Sequence, residues 1–92
     1  MRSVVWSRRA ARNMLSIRRY IHQFNPEAAQ STAKRILESV RVVSKHPHIG
    51  RAGPEGRTRK FPVPGTSYLI VYMISDETLE IVAVLHGAQI IA

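Results

Sequence analysis

The first part of the chain combines a short apolar stretch with helical periodicity. Residues 3–6 (Ser-Val-Val-Trp) are mostly β-branched or aromatic, which predicts a strand. Ser7 is a candidate N-cap, because its hydroxyl can accept a backbone N–H of the first helical turn. Apolar side chains then recur at the spacing of one helix face, namely Ala10, Met14, Ile17 and Ile21. The pattern predicts an amphipathic helix directly after the strand.

An Asn-Pro pair separates this helix from a second one. Asn25 is suited to the N-cap, Pro26 to the first helical position, and Glu27 to the positive end of the helix dipole. Further apolar positions repeat in steps of three and four: Ala29, Ala33, Ile36, Val40 and Val43. Two amphipathic helices joined by so tight a turn predict an antiparallel helical hairpin.

The second half of the chain predicts strands that follow a long loop. Residues 46–59 are rich in glycine, proline and cations, and long loops in small domains are commonly functional. Strands are predicted over 59–63, 67–74 and 79–85, with turn residues between them. The order β-α-α-β-β-β predicts the α+β class, with the N-terminal strand and the helical hairpin packed on one face of an antiparallel sheet.

The strand over 67–74 is apolar on both of its faces. One face carries alternate residues from Tyr68 to Ile74, and the other carries Leu69, Val71 and Met73. Two helices cover only one face of a sheet, and a wet apolar second face would be a sticky patch. We therefore expect the second face to be covered by a bound partner, by a second copy, or by the long loop and C-terminus folded back.

Charge adds an expected partner to this picture. The formal net charge is +8 on 92 residues, and eleven of the fourteen lysines and arginines are arginine. No acid occurs before Glu27. Arginine is suited to bidentate contact with carboxylates and phosphates. A chain of this charge is expected to bind an anionic partner, either a nucleic acid or an acidic protein segment.

Length and composition exclude several classes. We expect one domain over residues 1–92, without disulfides because cysteine is absent. No apolar run approaches the roughly 18 residues of a membrane span, and the N-terminus lacks the apolar core of a secretory signal. His46 and His48 flank a proline with no third ligand nearby, so we predict no metal site and no cofactor. The chain is expected to be cytoplasmic.

One catalytic hypothesis fits the residues. Metal-independent RNA cleavage needs an acid, a base and cations that stabilise the charged transition state. The candidates are His86, Arg57, Arg59 and Lys60, provided that the strands bring them together. The alternative is structural: His86 as a polar strand end, and the three cations as a charged edge that opposes aggregation. The residues alone leave both open.

Nucleic-acid binding without catalysis is a further hypothesis. Arg8, Arg12 and Arg19 are close to one helix face, opposite the apolar stripe, where they are either solvated or docked on an acidic segment or a nucleic-acid backbone. Binding of single strands usually adds exposed aromatic side chains. Most aromatics fall on faces predicted to be buried, which disfavours that hypothesis: Trp6, Tyr20, Phe24, Phe61, Tyr68 and Tyr72.

Several motifs together resemble the RelE/ParE family of bacterial type II toxins. The resemblance covers nearly the whole chain in order, and it rests on Trp6-Ser7-Arg8-Arg9-Ala10, Asn25-Pro26 with Ala28-Ala29, His46-Pro47-His48-Ile49-Gly50-Arg51, Val63-Pro64-Gly65-Thr66-Ser67-Tyr68, Val71-Tyr72 and Val84-Leu85-His86-Gly87-Ala88. It implies the same β-α-α-β-β-β fold. It also implies a hetero-oligomeric complex with an acidic, ParD- or RelB-like antitoxin that wraps the sheet and helices.

The family holds two activities, and the resemblance favours one of them. RelE-like members cut mRNA on the ribosome, whereas ParE-like members inhibit DNA gyrase. The nuclease pattern tends to carry an arginine after the aromatic of the central strand, where this chain has Leu69 after Tyr68. The C-terminus (Gln-Ile-Ile-Ala) also lacks the Tyr, His or Arg of the nucleases. The resemblance thus implies a gyrase inhibitor without catalytic residues, with a metal-independent mRNA interferase as the alternative.

The same resemblance suggests site residues. Those expected to bind the antitoxin are Arg57, Arg59, Lys60, Leu69, Val71, Met73, Arg12 and Arg19. Those expected to face the target are His86, Gly87, Ala88, Gln89 and Ile90.

Overall fold

Two helices and five strands follow one another in the computed structural model, which describes residues 2–89. The elements are β1 (Ser3–Trp6), α1 (Arg8–His22), α2 (Pro26–Lys45), β2 (Arg51–Ala52), β3 (Arg59–Pro62), β4 (Tyr68–Ile74) and β5 (Thr78–His86). A short 3₁₀ helix, Gly87–Gln89, follows β5. None of the helices within residues 2–89 combines the length and apolar composition needed to cross a membrane.

Both helices begin where the sequence predicts. The Ser7 side chain accepts the backbone N–H of Ala10 at 3.0 Å, and the Asn25 side chain accepts that of Ala28 at 3.1 Å. Each cap pairs one of the backbone donors that a helix start leaves without an intrahelical acceptor. Pro26 occupies the first position of α2, where its missing N–H costs nothing. The predicted helical hairpin is confirmed.

The sheet has a strand and a pairing that the sequence did not indicate. Its order is β1-β5-β4-β3-β2, so the doubly apolar strand β4 is central, as predicted. The short strand β2 lies inside the segment predicted to be a loop and pairs with β3. The sheet is mixed rather than wholly antiparallel, because β1 pairs in parallel with β5. More than 70 residues separate these two strands, so no local pattern reveals their relative direction.

A β-bulge in β5 is anchored by the N-cap of the first helix and by one side chain of that helix. Val71 opposes Ala83 and Tyr72 opposes Ile81, which leaves Val82 without an opposite residue on β4. The Ser7 hydroxyl donates to the carbonyl of Val82 at 2.7 Å. The backbone N–H of Val84 donates to Asn13 Oδ1 at 3.1 Å. Beyond the end of β1, side chains at the start of α1 therefore provide hydrogen-bond partners for β5.

Replacing Asn13 by alanine is expected to lower the free energy of unfolding by about 1–3 kcal/mol, because the N–H of buried Val84 would lose its acceptor. Urea denaturation followed by circular dichroism measures the change. Ser16→Ala, at an exposed site of the same helix, is the matched control and should stay within about 0.5 kcal/mol of the parent. Equal stability of the two variants would contradict a structural role for Asn13.

The core lies between the helical hairpin and one face of the sheet. It is formed by Ala10, Ile17, Ile36, Val40 and Val43 of the helices with Val63, Ile70, Tyr72, Leu79, Ile81 and Val84 of the sheet side. Tyr68 and Ile74 pack against this cluster, which confirms the predicted inward face of β4. The opposite face, here called the open face, contains Leu69, Val71 and Met73 and has no helix over it.

Candidate functional site

The long loop after α2 is fastened to the sheet by Tyr72. The buried phenol accepts the backbone N–H of Gly50 at 2.9 Å and donates to the carbonyl of Pro47 at 2.7 Å. Burial raises the pKa of Tyr72, although the Gly50 hydrogen bond and the charge of Arg59 act in the opposite direction. Both polar functions of the hydroxyl are thus used to hold loop backbone.

Arg59 completes this attachment. Its Nη1 donates to the carbonyl of Gly50 at 2.7 Å and to that of His48 at 3.2 Å. Arg59 opposes Tyr72 across the β3–β4 ladder, and directly opposed residues point to the same side of a sheet. Its guanidinium is therefore directed to loop carbonyls on the core side, away from the open face.

Lys60 and Arg57 do not share the position of Arg59 on the core side of the sheet. Lys60 opposes Val71, so its side chain lies on the open face. Arg57 lines a cavity of about 250 Å³ together with His48, Gly56, Arg59 and Ile74. From the sequence, Arg57, Arg59 and Lys60 were predicted to act as one cationic group. In the pleated strand β3, however, the neighbouring side chains of Arg59 and Lys60 point to opposite sides of the sheet.

His86 lies at the other end of the sheet. It opposes Tyr68, and the two rings meet edge to face with centroids 5.4 Å apart. Its Nδ1 accepts the backbone N–H of Ala88 at 3.1 Å. His86 and Arg59 are separated by four residues along β4 and by two strand spacings, which places their Cα atoms about 16 Å apart. The structure does not bring the candidate catalytic residues together.

The predicted target-facing segment begins at this same end. Gly87 donates its backbone N–H to the carbonyl of Ser67 at 2.7 Å, which ties the start of the 3₁₀ helix to the start of β4. Ala88 is exposed. Gln89 closes the 3₁₀ helix, and Ile90 lies outside the described residues.

The open face is apolar at its centre and more exposed at its margin. Val71 is buried and Leu69 half-buried, while Met73 is 36% exposed. Met73 opposes Glu80, and Val5 of β1 lies beside Glu80 on the other side. Lys60 and Arg51, which opposes it on β2, lie on the same side, so the face offers apolar contact with two positive charges beside the carboxylate of Glu80. That a partner covers it stays a prediction.

Arg12 and Arg19 are not part of the open face. Both are exposed, on the side of α1 opposite its buried residues Ala10 and Ile17. Because α1 packs on the core face of the sheet, these arginines point away from the sheet altogether. The residues expected to bind an antitoxin therefore lie on two opposite sides of the molecule.

A groove between the helices is a surface that the sequence did not single out. It has a volume of about 500 Å³ and contains three cations and one carboxylate; its lining residues are Arg18, Gln30, Ala33, Lys34, Leu37, Glu38 and Arg41. Leu37 is 50% exposed. The sequence did contain a signal for this groove. Leu37 directly follows the core position Ile36, so it widens the apolar face of α2 beyond the predicted stripe.

Two aromatic side chains are exposed, contrary to the expectation from sequence. Tyr20 is 61% exposed and Phe24 is 73% exposed, and their rings meet edge to face with centroids 5.5 Å apart. Neither residue belongs to the apolar stripe of α1. Their absence from the stripe was the signal in the sequence that could have identified them as exposed. Burial, and then the neighbouring phenol of Tyr20, raises the pKa of Tyr68.

Metal ligands are not grouped in the part of the chain that the structure describes. Among residues 2–89, no three His, Cys, Asp or Glu side chains come together in a way that could hold an ion. His46 and His48 line a shallow surface depression with Pro47 and Ile49.

Comparison with known proteins gives consistent similarities over nearly the whole chain. Residues 4–91 match the family model described as "ParE toxin of type II toxin-antitoxin system, parDE". Toxin RelE2 of Caulobacter vibrioides is 34% identical over 90 residues, which span 98% of this chain and 100% of the relative. A structure titled "Chromosomal ParDE TA system from P. aeruginosa" superposes with a TM-score of 0.83 at 19% identity, covering 94% of this chain and 96% of that one. That structural likeness concerns the fold.

Proposed function

The chain belongs to the ParE toxin family of type II toxin–antitoxin systems, and from this premise we propose that it is a cytoplasmic toxin that inhibits DNA gyrase by binding. In this proposal a cognate acidic antitoxin neutralises it in a hetero-oligomeric complex. The choice of gyrase as the target rests on the resemblance to ParE-like members. The geometry of the basic residues supplies the argument against an mRNA interferase.

The separation of His86 from the basic residues carries the proposal. An acid, a base and a stabilising cation must all reach the same few atoms of one substrate, each at about 2.6–3.2 Å. By strand geometry the Cα atoms of His86 and Arg59 are about 16 Å apart, and Lys60 lies on the opposite face of the sheet. Arg59 is further occupied by the carbonyls of His48 and Gly50. The described residues therefore support binding better than RNA cleavage.

Two surfaces of this chain are suited to bind the antitoxin. The open face offers Leu69 and Met73 with Lys60, as expected from the sequence. The groove between the helices offers Leu37 among Arg18, Lys34 and Arg41. An acidic amphipathic segment places apolar side chains on one side and carboxylates at its edges, which complements both surfaces. An antitoxin that wraps sheet and helices would contact one surface after the other.

The gyrase target is proposed to meet the end of the sheet where β5 leaves it. His86, Gly87 and Ala88 lie there, and the chain continues from Gln89 to Ile90. This end is remote from the loop that Tyr72 and Arg59 fasten. The proposed gyrase-binding end and the fastened loop are thus separate parts of the protein surface.

A supercoiling assay with the purified chain, freed of antitoxin, tests the proposal. We expect loss of supercoiling by DNA gyrase and accumulation of cleaved DNA in proportion to the toxin. Lys60→Gln separates the two hypotheses, because the interferase needs this cation and the proposed gyrase surface does not contain it. The variant should inhibit gyrase as the parent does.

The opposite result would favour the interferase. A folded, antitoxin-binding chain that leaves gyrase active but cuts mRNA on ribosomes, with cleavage lost in Lys60→Gln and in His86→Ala, would refute the proposal. Circular dichroism of each variant establishes that it is folded before either assay.

A further inference from the structure

An exposed aromatic pair lies at the C-terminal end of the first helix. Tyr20 and Phe24 are 61% and 73% exposed, well above what a core role allows. Their rings meet at 68°, so each has a face turned away from the other. Phe24 directly precedes the Asn25 cap and does not pack on the buried cluster. These rings form a surface for stacking rather than part of the core.

A stripe of arginines leads along the same helix to this pair. Arg8, Arg12 and Arg19, here called the arginine stripe, are exposed and lie within about 40° of one another around α1. They extend over about 16 Å of helix axis. Arg19 is the sequence neighbour of Tyr20. Successive helix residues are about 100° apart, so Tyr20 lies on the flank of α1 that adjoins the C-terminal end of the stripe.

The stripe is unfavourable for the helix that carries it. Arg8 lies in the first turn of α1, where no acid is present and where the positive end of the helix dipole disfavours a cation. Arg8 and Arg12 are also a like-charge pair one turn apart. Local stability therefore does not account for these arginines, whereas an anionic ligand along the helix does.

We propose that the arginine stripe and the adjoining flank at the C-terminal end of α1, where Tyr20 and Phe24 lie, together bind single-stranded nucleic acid. The guanidinium groups contact the phosphates, and the rings stack on bases, as in other surfaces that combine a basic track with aromatic platforms. Bases in a duplex are already stacked on one another, so exposed rings favour a single strand. The proposal goes beyond the proposed function and does not depend on gyrase or the antitoxin.

An acidic peptide is a poorer occupant of this side. An amphipathic helix needs a continuous row of apolar side chains opposite it. On the solvent side of α1 the one exposed aliphatic residue among these arginines, within the described chain, is Leu15. The apolar surface suited to a peptide is the groove on the other flank, at Ala33 and Leu37. The two ligands thus have different places on the helical hairpin.

Fluorescence anisotropy with labelled oligomers of about 15 nucleotides tests the proposal on the antitoxin-free chain. The probes are oligo-dT, oligo-rU and a DNA duplex of equal length. Tyr20→Ala and Phe24→Ala should each weaken oligo-dT binding by about 5- to 100-fold and leave duplex binding unchanged. Arg12→Gln with Arg19→Gln should reduce the slope of log K against log salt by about 1.4, at roughly 0.7 for each phosphate that the variant no longer neutralises.

A charge-matched control separates a built surface from general attraction. Lys34→Gln with Arg41→Gln removes two charges from the other helix and should leave the affinity within about 2-fold of the parent after correction for net charge. If this pair weakens binding as much as Arg12→Gln with Arg19→Gln, attraction is diffuse and the proposal fails. It also fails if the aromatic variants bind oligo-dT as tightly as the parent. Tighter binding of oligo-rU than oligo-dT, abolished in the same variants, upholds it and identifies RNA as the natural strand.

Discussion

Tyr72→Ala is expected to lower the free energy of unfolding by about 3–5 kcal/mol, as for other large buried aromatics. The substitution empties a site in the centre of the sheet and removes a phenol that holds Pro47 and Gly50. A small domain has little stability to spare, so the variant is expected to be close to unfolding at 37 °C. Urea denaturation followed by circular dichroism gives the value.

Tyr72→Phe isolates the hydroxyl from the ring. It keeps the packing but leaves the Gly50 N–H and the Pro47 carbonyl without this partner, so we expect a loss of about 1–3 kcal/mol. If Tyr72→Phe is as stable as the parent, the hydroxyl does not hold the loop.

The dependence of stability on alkaline pH independently tests the role of the same hydroxyl. Burial raises the pKa of Tyr72 above the ordinary value of about 10. A raised pKa in the folded state means that the fold favours the neutral phenol, so its contribution to stability is complete below about pH 10 and decreases as pH rises through the folded value. Tyr72→Phe should therefore lose less stability than the parent above pH 10.

Gly50 is the matching position on the loop. A Cβ atom there would lie 2.6 Å from the hydroxyl of Tyr72 and 2.8 Å from its ring, too close for any side chain without a shift. Gly50→Ala should therefore displace the loop and cost about 1–3 kcal/mol. Gly53→Ala is the control, because its Cβ would meet its nearest neighbour at an ordinary 3.5 Å.

The second large effect is expected in antitoxin binding. Leu37→Asp places a negative charge in the groove between the helices, where the antitoxin is proposed to bring both an apolar side chain and carboxylates. We expect the affinity for the cognate antitoxin to fall by about 30-fold or more, as when a central interface side chain worth about 2 kcal/mol or above is removed. Isothermal titration with the purified antitoxin measures the change.

Leu15→Asp is a closely matched control for this experiment. Leu15 is 51% exposed and Leu37 is 50% exposed, and each lies on the outside of a helix. The two substitutions change the net charge equally, so a difference between them reports position alone. Met73→Asp examines the open face in the same assay. Unchanged affinity in Leu37→Asp would remove the groove from the antitoxin interface.

Local sequence rules predicted the helical hairpin because its determinants are close in the chain. Ser7 and Asn25 cap helices through backbone groups three residues away, and Pro26 needs only its own ring to fit the first turn. The inward face of β4 followed from alternation of apolar residues, which a pleated strand imposes. The fold class was predictable because these local patterns together leave few ways to build one core.

The candidate site was less predictable, because it depends on contacts between distant residues. Sequence alone placed Arg59 with Lys60, and only the register of β3 against β4 shows that they point to opposite sides. The bond between Tyr72 and Gly50 joins positions 22 residues apart, and that between Asn13 and Val84 joins positions 71 residues apart. No spacing pattern records such pairs.

The sequence by itself determined the elements, their order, the excess of positive charge and the resemblance to a toxin family. Those properties depend on composition and on neighbours within a few positions. The tertiary structure alone decided that β1 runs parallel to β5, that His86 is remote from Arg59, and that Tyr20 and Phe24 remain exposed. Strand register and helix packing determine these relations, because they set which face of each element is buried once the core forms.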